Sequence, residues 1–292
     1  MWLVYTSALG SDSRGGGVAK RGDTGFRLGG GMPRLARRPW TPWWRAFSEF
    51  LVALERVTAR GPFPARLAGA LAWTLAAWWI YVPLHELLHA LGCAVTGGTV
   101  GRLWIQPLYG GRFLARLFPF VTAGGSYAGR LEGFDTGGSD IGYLSTVLLP
   151  FLLTVAGAFP LLRMAARRRS PAALGAGLVL AAALFISLPG DLYEGGSILV
   201  SSALAVLFPS GLQPSPAALR HEDLWVLLGD FNARFPAWQP FWAGGILLSF
   251  LAGGLLGGGI LALSERLASR LGLSPSAPAL QVKAPSRSGL QN

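Results

Sequence analysis

Long apolar stretches, separated by short polar or basic segments, dominate the pattern along the chain. A helix that crosses an approximately 30 Å hydrocarbon layer needs about 20 apolar residues. The stretches that approach or exceed this length are residues 67–95, 141–162, 172–189, 195–208 and 241–263. The fourth is short, so it is either a half-span or a continuation of the third beyond a break. The pattern therefore predicts an all-α polytopic membrane protein with about four to six transmembrane helices.

Polar segments flank this predicted transmembrane domain, which covers residues 67–264. Residues 1–39 are rich in Gly and Arg and show no apolar period, so we expect disorder there, with Met32 as a candidate natural start. Residues 40–66 place Trp and Phe among Arg and Glu at helical spacing, which indicates an interfacial amphipathic helix or a simple lead-in to the first span. Residues 265–292 are expected to form a disordered basic tail.

The loop at 96–140 has a composition unlike that of the spans. Its sequence TGGTVGRLWIQPLYGGRF alternates Gly with residues that favour strands and carries little charge. This pattern predicts a small membrane-associated β segment, folded as a hairpin and packed at the membrane surface.

Composition and charge support the membrane interpretation. The chain is 51% apolar and only 13% charged, which is closer to a protein dissolved in lipid than to a soluble domain. Its net charge of +11 could indicate nucleic-acid binding, but the basic residues lie between and outside the apolar stretches. Such a distribution is typical of membrane-flanking charge. We therefore expect the lipid bilayer, and no nucleic acid, as a partner of this integral, multi-pass protein.

The first apolar stretch is interrupted by the cluster His85-Glu86-Leu87-Leu88-His89. Two imidazoles four residues apart lie on the same face of a helix, where one metal ion can bind both. Glu86 follows the first imidazole directly, so its carboxylate can act as the base that deprotonates a metal-bound water. Each ionisable side chain at the centre of a membrane helix costs roughly 2.5–3.5 kcal/mol, which favours a functional site over a packed, metal-free polar network.

A hydrolytic zinc ion usually has three protein ligands and one water, so a third ligand is needed. The single cysteine excludes a cysteine cluster, and His221 lies in a polar stretch typical of a surface helix. Asp191 and Glu194 are better candidates, because they follow a long apolar stretch and are three residues apart. An interfacial loop is the alternative interpretation of this pair.

The sequence HELLHALGCAVTGG, the Gly-flanked β-like segment, the following spans and the later element P-x-x-x-x-EGGSIL resemble the site-2 protease-like intramembrane zinc metallopeptidases. The resemblance covers about residues 70–200, and the HExxH motif is its more specific part. It implies a zinc cofactor bound by His85 and His89, Glu86 as catalytic base, and a membrane-protein substrate.

The second motif of that family carries the third zinc ligand and departs from the family pattern in this chain. Pro189 matches the proline of the motif, and Glu194 then falls at the position of the ligating Asp. The register therefore favours Glu194 whereas the residue type favours Asp191, and both remain candidates. The Asn of the family motif, which is associated with substrate positioning, is absent.

These residues predict zinc-dependent intramembrane proteolysis. A metallopeptidase-like membrane scaffold without turnover is one alternative, because a ligand triad can persist when substrate positioning is lost. An ion transporter is a weaker alternative, since the chain has no internal repeat of the kind that builds many transporters.

Overall fold

A computed structural model describes residues 40–275 with the exception of 60, 210, 211, 213, 222 and 238. The predictions of disorder for residues 1–39 and for the end of the tail lie outside this part of the chain. The helices are α1 (Thr41–Thr58), α2 (Phe63–Val95), α3 (Gly111–Leu117), α4 (Asp140–Leu148), α5 (Leu152–Arg168), α6 (Pro171–Ile186), α7 (Asp191–Leu207), α8 (Leu224–Gly229), α9 (Phe231–Arg234) and α10 (Gln239–Arg270). The strands are β1 (Arg102–Ile105), β2 (Val121–Ala123) and β3 (Gly129–Glu132).

Among the described residues, three helical segments are long and apolar enough to cross a membrane. They are α2, the segment Asp140–Arg168 and α10. Helices α6 and α7 are bent by 42° at a short break and together would make a fourth span. A count of three falls below the predicted range of four to six, and a count of four lies at its lower end, because residues 195–208 belong almost entirely to α7 and form no separate span. The largely helical fold with apolar spans and a small sheet is confirmed.

Helices α7 and α10 cross at close range through glycines. A Cβ atom added at Gly253 would lie 2.2 Å from the carbonyl oxygen of Leu192, and one added at Gly196 would lie 2.1 Å from that of Ser249. Any side chain at these two positions would therefore collide with the backbone of the other helix. Small residues permit this kind of approach between helices in membrane proteins. The crossing fixes the first turn of α7, where Asp191 lies.

Helix α1 packs against the bundle along one face. Its buried residues include Ala53 and Val57, which belong to the same core cluster as Ala165 of α5. The other face exposes Trp44, Phe47 and Leu51. The assignment of α1 as an interfacial amphipathic helix stays a prediction. Residues 63–66, assigned to this interfacial segment from sequence, belong instead to α2.

A buried ion pair connects α1 to α5. Arg163 is 1% exposed and donates to the Glu49 carboxylate at 3.0 Å, and it also donates to the carbonyl oxygen of Leu273 at 2.9 Å. The second contact holds the end of α10, which continues to Arg270. Residues 265–270 are therefore helical, and the boundary of the predicted tail at 265 is wrong.

The predicted β segment is a three-stranded sheet in the order β2-β1-β3. Strand β1 pairs parallel to β2 and antiparallel to β3. The prediction of a hairpin was wrong in its pairing, because the residues after β1 form a 3-10 turn and α3 while both partner strands come later in the chain. Leu103 and Ile105 are fully buried and pack with Ala90 of α2. This packing holds the sheet, with β3 at its edge, against the helix that carries the HExxH motif.

Candidate metal centre

The two imidazoles of the HExxH motif converge on the inner side of α2. His85 is buried at 8% exposure, His89 is half-buried, and their Nε2 atoms are 3.1 Å apart. Their spacing of four residues places them one helical turn apart, as the sequence predicts. An added Cβ at Gly92 would lie 2.5 Å from the carbonyl oxygen of Ser145, so α2 and α4 approach closely just beyond this pair.

Asp191, the first residue of α7, completes the cluster. Its Oδ2 atom is 3.1 Å from Nε2 of His85, and its Oδ1 atom is 3.7 Å from Nε2 of His89. One ligand atom from each of the three residues lies within 4.8 Å of the others, so this group could hold a metal ion. The first and third of these residues are separated by 106 positions, and the packing of α7 on the bundle brings them together.

A hydrogen-bonding contact at Nδ1 orients each imidazole, while Nε2 faces the cluster. Nδ1 of His89 is 2.8 Å from the carbonyl oxygen of Thr146, which can only accept a hydrogen bond. Neutral His89 therefore carries its hydrogen on Nδ1, and its Nε2 lone pair is directed at the cluster. Nδ1 of His85 is 2.7 Å from the hydroxyl of Tyr81. Hydrogen bonds of this kind fix the ring orientation and the tautomer of metal-binding histidines.

Glu194, the other candidate ligand, is not part of the group of described residues that could hold a metal ion. It lies one turn beyond Asp191 on α7, is buried at 8% exposure, and accepts a hydrogen bond from the hydroxyl of Tyr143 on α4. The structure thus places Asp191 with the imidazoles and Glu194 at the contact between α4 and α7. His221 is also outside the group, and its Nδ1 accepts the backbone N–H of Asp223.

Glu86 lies in a cavity of about 220 Å³ beside the cluster. His89, Asp191 and Glu194 line the same cavity. The Glu86 side chain packs against the backbone of β3, where a Cβ added at Gly129 would lie 2.2 Å from its Cγ atom. A carboxylate held beside the possible ligands in a cavity is placed to exchange protons with a group bound there.

Several residues that support the site were not predicted from sequence. Tyr81 precedes His85 by four residues, so helical spacing alone could have identified it. Thr146 contacts His89 through its backbone carbonyl, and Gly129 leaves room for the Glu86 side chain because it has no Cβ. The residue type at these two positions therefore does not predict either role. Tyr143 contacts Glu194 across 51 positions, a pairing that only the packing of α4 on α7 creates.

Comparison of the chain with family models, with curated proteins and with solved structures finds no match in any of the three.

Proposed function

We propose that the protein is a zinc-dependent membrane metallopeptidase that hydrolyses peptide bonds of membrane-embedded substrates. The convergence of His85, His89 and Asp191 beside the carboxylate of Glu86 is the observation that carries this proposal. Two imidazoles and one carboxylate, with a fourth position left for water, form a known ligand set of hydrolytic zinc sites.

The donor separations fit a zinc ion. Tetrahedral zinc with bonds of about 2.0–2.1 Å requires ligand atoms about 3.3–3.4 Å apart. The two imidazole Nε2 atoms are 3.1 Å apart, and the Asp191 oxygens lie 3.1 Å and 3.7 Å from them, one oxygen to each ring. Donors already at these separations could bind a zinc ion with only small side-chain movements.

The depth of the cluster along α2 supports a site inside the membrane. His85 lies ten residues before the end of this helix, which corresponds to about 15 Å. Leu75 and Ile80 on the same helix are exposed at 71% and 53%, as expected for a surface that contacts lipid. Helix α2 extends 22 residues before His85 and six residues, about 9 Å, beyond His89.

Each residue of the site has a separate role in the proposed peptide hydrolysis. A bound zinc ion would supply Lewis acidity and lower the pKa of a bound water to about 7. Glu86 accepts a proton as the water oxygen forms a bond to the carbonyl carbon of the substrate. It then returns that proton to the amide nitrogen as the carbon–nitrogen bond breaks. Tyr81 and Thr146 keep the two imidazoles aligned during these steps.

Substitution of Glu86 by Gln tests the proposed base. We expect the purified full-length chain to hold about one zinc per molecule both before and after the change. Cleavage of a proteome-derived peptide library in detergent micelles should fall by at least about a hundredfold, because Gln cannot accept the proton. Metal analysis and mass spectrometry of the products provide the two measurements.

The outcomes of this experiment separate the candidate functions. Undiminished cleavage by Glu86→Gln would reject Glu86 as the base. Zinc binding without cleavage by the unmodified chain would favour a metal-holding membrane scaffold. A separate measurement of zinc uptake into vesicles that contain the protein would identify a transporter.

Substitution of Gly129 by Ala tests the position of Glu86 without altering a ligand. The new methyl group would overlap the Glu86 side chain and displace its carboxylate. We expect unchanged zinc content and cleavage reduced by about 10–100-fold, since small misplacements of reacting groups have effects of that size. Gly229→Ala is the matched control, because a Cβ there meets nothing within 4 Å. Equal activity of the two variants would show that β3 does not position Glu86.

A further inference from the structure

We propose that the end of the helical bundle opposite the metal cavity contacts the anionic lipid headgroups of the cytoplasmic leaflet, so that the cavity opens on the other side of the membrane. This orientation depends on the spans, the cavity and the distribution of charge, and not on peptide hydrolysis. It sets the compartment from which metal, water and substrate reach the site.

The end of the bundle that we call the basic end is formed by the end of α1, the start of α2, the end of α5, the start of α6 and the end of α10. A Cβ added at Gly69, near the start of α2, would lie 3.7 Å from Pro171, the first residue of α6. The hydrogen bond from Arg163 to Leu273 joins the end of α5 to the residues that follow α10. Core packing places the last turn of α1 against α5. These five helix termini therefore lie together.

The metal cavity belongs to the opposite end, the cavity end. There the loop that contains the sheet joins α2 to α4, and a connector that contains α8 and α9 joins α7 to α10. Gly129 of the sheet and Asp223 of the connector both line the cavity. The rings of Phe208 and Phe241 are 6.1 Å apart, so the end of α7 and the start of α10 also meet at this end. Because loops run over the surface, a cavity that they line reaches water on this side.

The basic end carries a large excess of positive charge. The described residues of 41–66, 163–171 and 264–275 include nine arginines and three acidic residues. Two of the acidic residues have partners within the fold, since Glu49 pairs with Arg163, and Glu265 pairs with Arg163 and Arg45. Four of the arginines are exposed and form no ion pair with a described residue, namely Arg167, Arg168, Arg266 and Arg270. This surface therefore matches an anionic partner.

The cavity end is much closer to charge balance. The described residues of 96–140 and 208–238 include six arginines and five acidic residues, although these segments are longer than those of the basic end. Arg130 pairs with Glu132, and Arg220 pairs with Asp140. Lys and Arg beside the ends of spans favour the cytoplasmic side, where the leaflet is anionic. The basic end is therefore cytoplasmic, and the cavity faces away from the cytoplasm.

Labelling of single cysteines tests this orientation on the full-length chain in spheroplasts of bacterial cells that express it. Cys93, the only cysteine, is buried and is first replaced by Ala. Ser126→Cys and Ala233→Cys then each place an exposed thiol at the cavity end, and Ala59→Cys and Ser274→Cys each place one at the basic end. We expect a membrane-impermeant maleimide to label the first pair in sealed spheroplasts and the second pair only after lysis.

Removal of arginines tests whether the basic end sets the orientation. Gln at its four exposed arginines should produce a mixed population, in which roughly half of the molecules are labelled at position 274 in sealed spheroplasts. The matched control replaces three arginines that are exposed at the cavity end, Arg102, Arg112 and Arg116, and should keep the original pattern.

Two results would overturn the proposal. One is labelling at positions 59 and 274 from outside sealed spheroplasts by the chain with its arginines intact. The other is an unchanged labelling pattern when the four exposed arginines of the basic end are replaced. Neither readout involves zinc or cleavage, so failure of the proposed function would leave both of them unaffected.

Discussion

Replacement of Asp191 by Asn is expected to lower the affinity of the protein for zinc by more than about a hundredfold. The carboxylate is the only anionic member of the cluster, and Asn leaves two neutral imidazoles to hold a divalent cation. Changes to groups that merely orient a ligand already cost about 10–100-fold in affinity, so loss of a ligand should cost more. Competition titration against a chelator of known affinity would measure the change.

Glu194→Gln is the matched control for Asp191→Asn. Both substitutions replace a carboxylate with an amide in the first turn of α7, and both positions line the cavity. Glu194 contacts Tyr143 and lies outside the cluster, so zinc affinity should stay within a few-fold of that of the unmodified protein. If Glu194→Gln lost the metal and Asp191→Asn kept it, the ligand assignment would be wrong.

Replacement of Gly253 by Ala is expected to destabilise the protein and to weaken zinc binding, although this glycine is not a ligand. The added methyl group would lie 2.2 Å from the Leu192 carbonyl oxygen, so α7 must move away from α10. Excess volume in a packed core costs about 1–3 kcal/mol. Because Leu192 follows Asp191 directly, we also expect zinc affinity to fall by about 10–100-fold. Thermal unfolding in detergent and chelator competition measure the two effects.

Two other glycines of α10 provide controls for Gly253→Ala. A Cβ added at Gly244 or at Gly259 meets nothing within 4 Å. Ala at either position should leave stability unchanged or raise it by up to about 1 kcal/mol, since Ala favours a helix more than Gly does. Equal losses in all three variants would mean that the α7–α10 crossing does not set the position of Asp191.

The spans could be predicted from sequence because each is a long run of apolar residues. The packing of α1 against the bundle could not be predicted from sequence. An amphipathic pattern is the same whether the apolar face of the helix contacts lipid or protein. In the structure, Ala53 and Val57 are buried against the bundle. Strand β1 lies in the stretch whose residue types favour strands, but β2 and β3 lie beyond it, and the parallel pairing of β1 with β2 depends on the intervening α3.

The first half of the candidate metal site could also be predicted from the sequence, because His85, Glu86 and His89 lie within about one helical turn. The third ligand was not. Asp191 and Glu194 differ by about 60° in direction around α7, so their order along the chain does not decide which of them meets the imidazoles. The rotation of α7 about its axis decides it, and the glycine crossing with α10 fixes that rotation. Residue type favoured Asp191, while the motif register favoured Glu194.

A zinc-edge anomalous diffraction map of crystals grown with zinc would show directly whether His85, His89 and Asp191 bind one ion. We expect one peak about 2.0–2.2 Å from Nε2 of His85, Nε2 of His89 and one carboxylate oxygen of Asp191. The absence of a peak between these three side chains, or a peak bound by Glu194 and not by Asp191, would contradict this expectation.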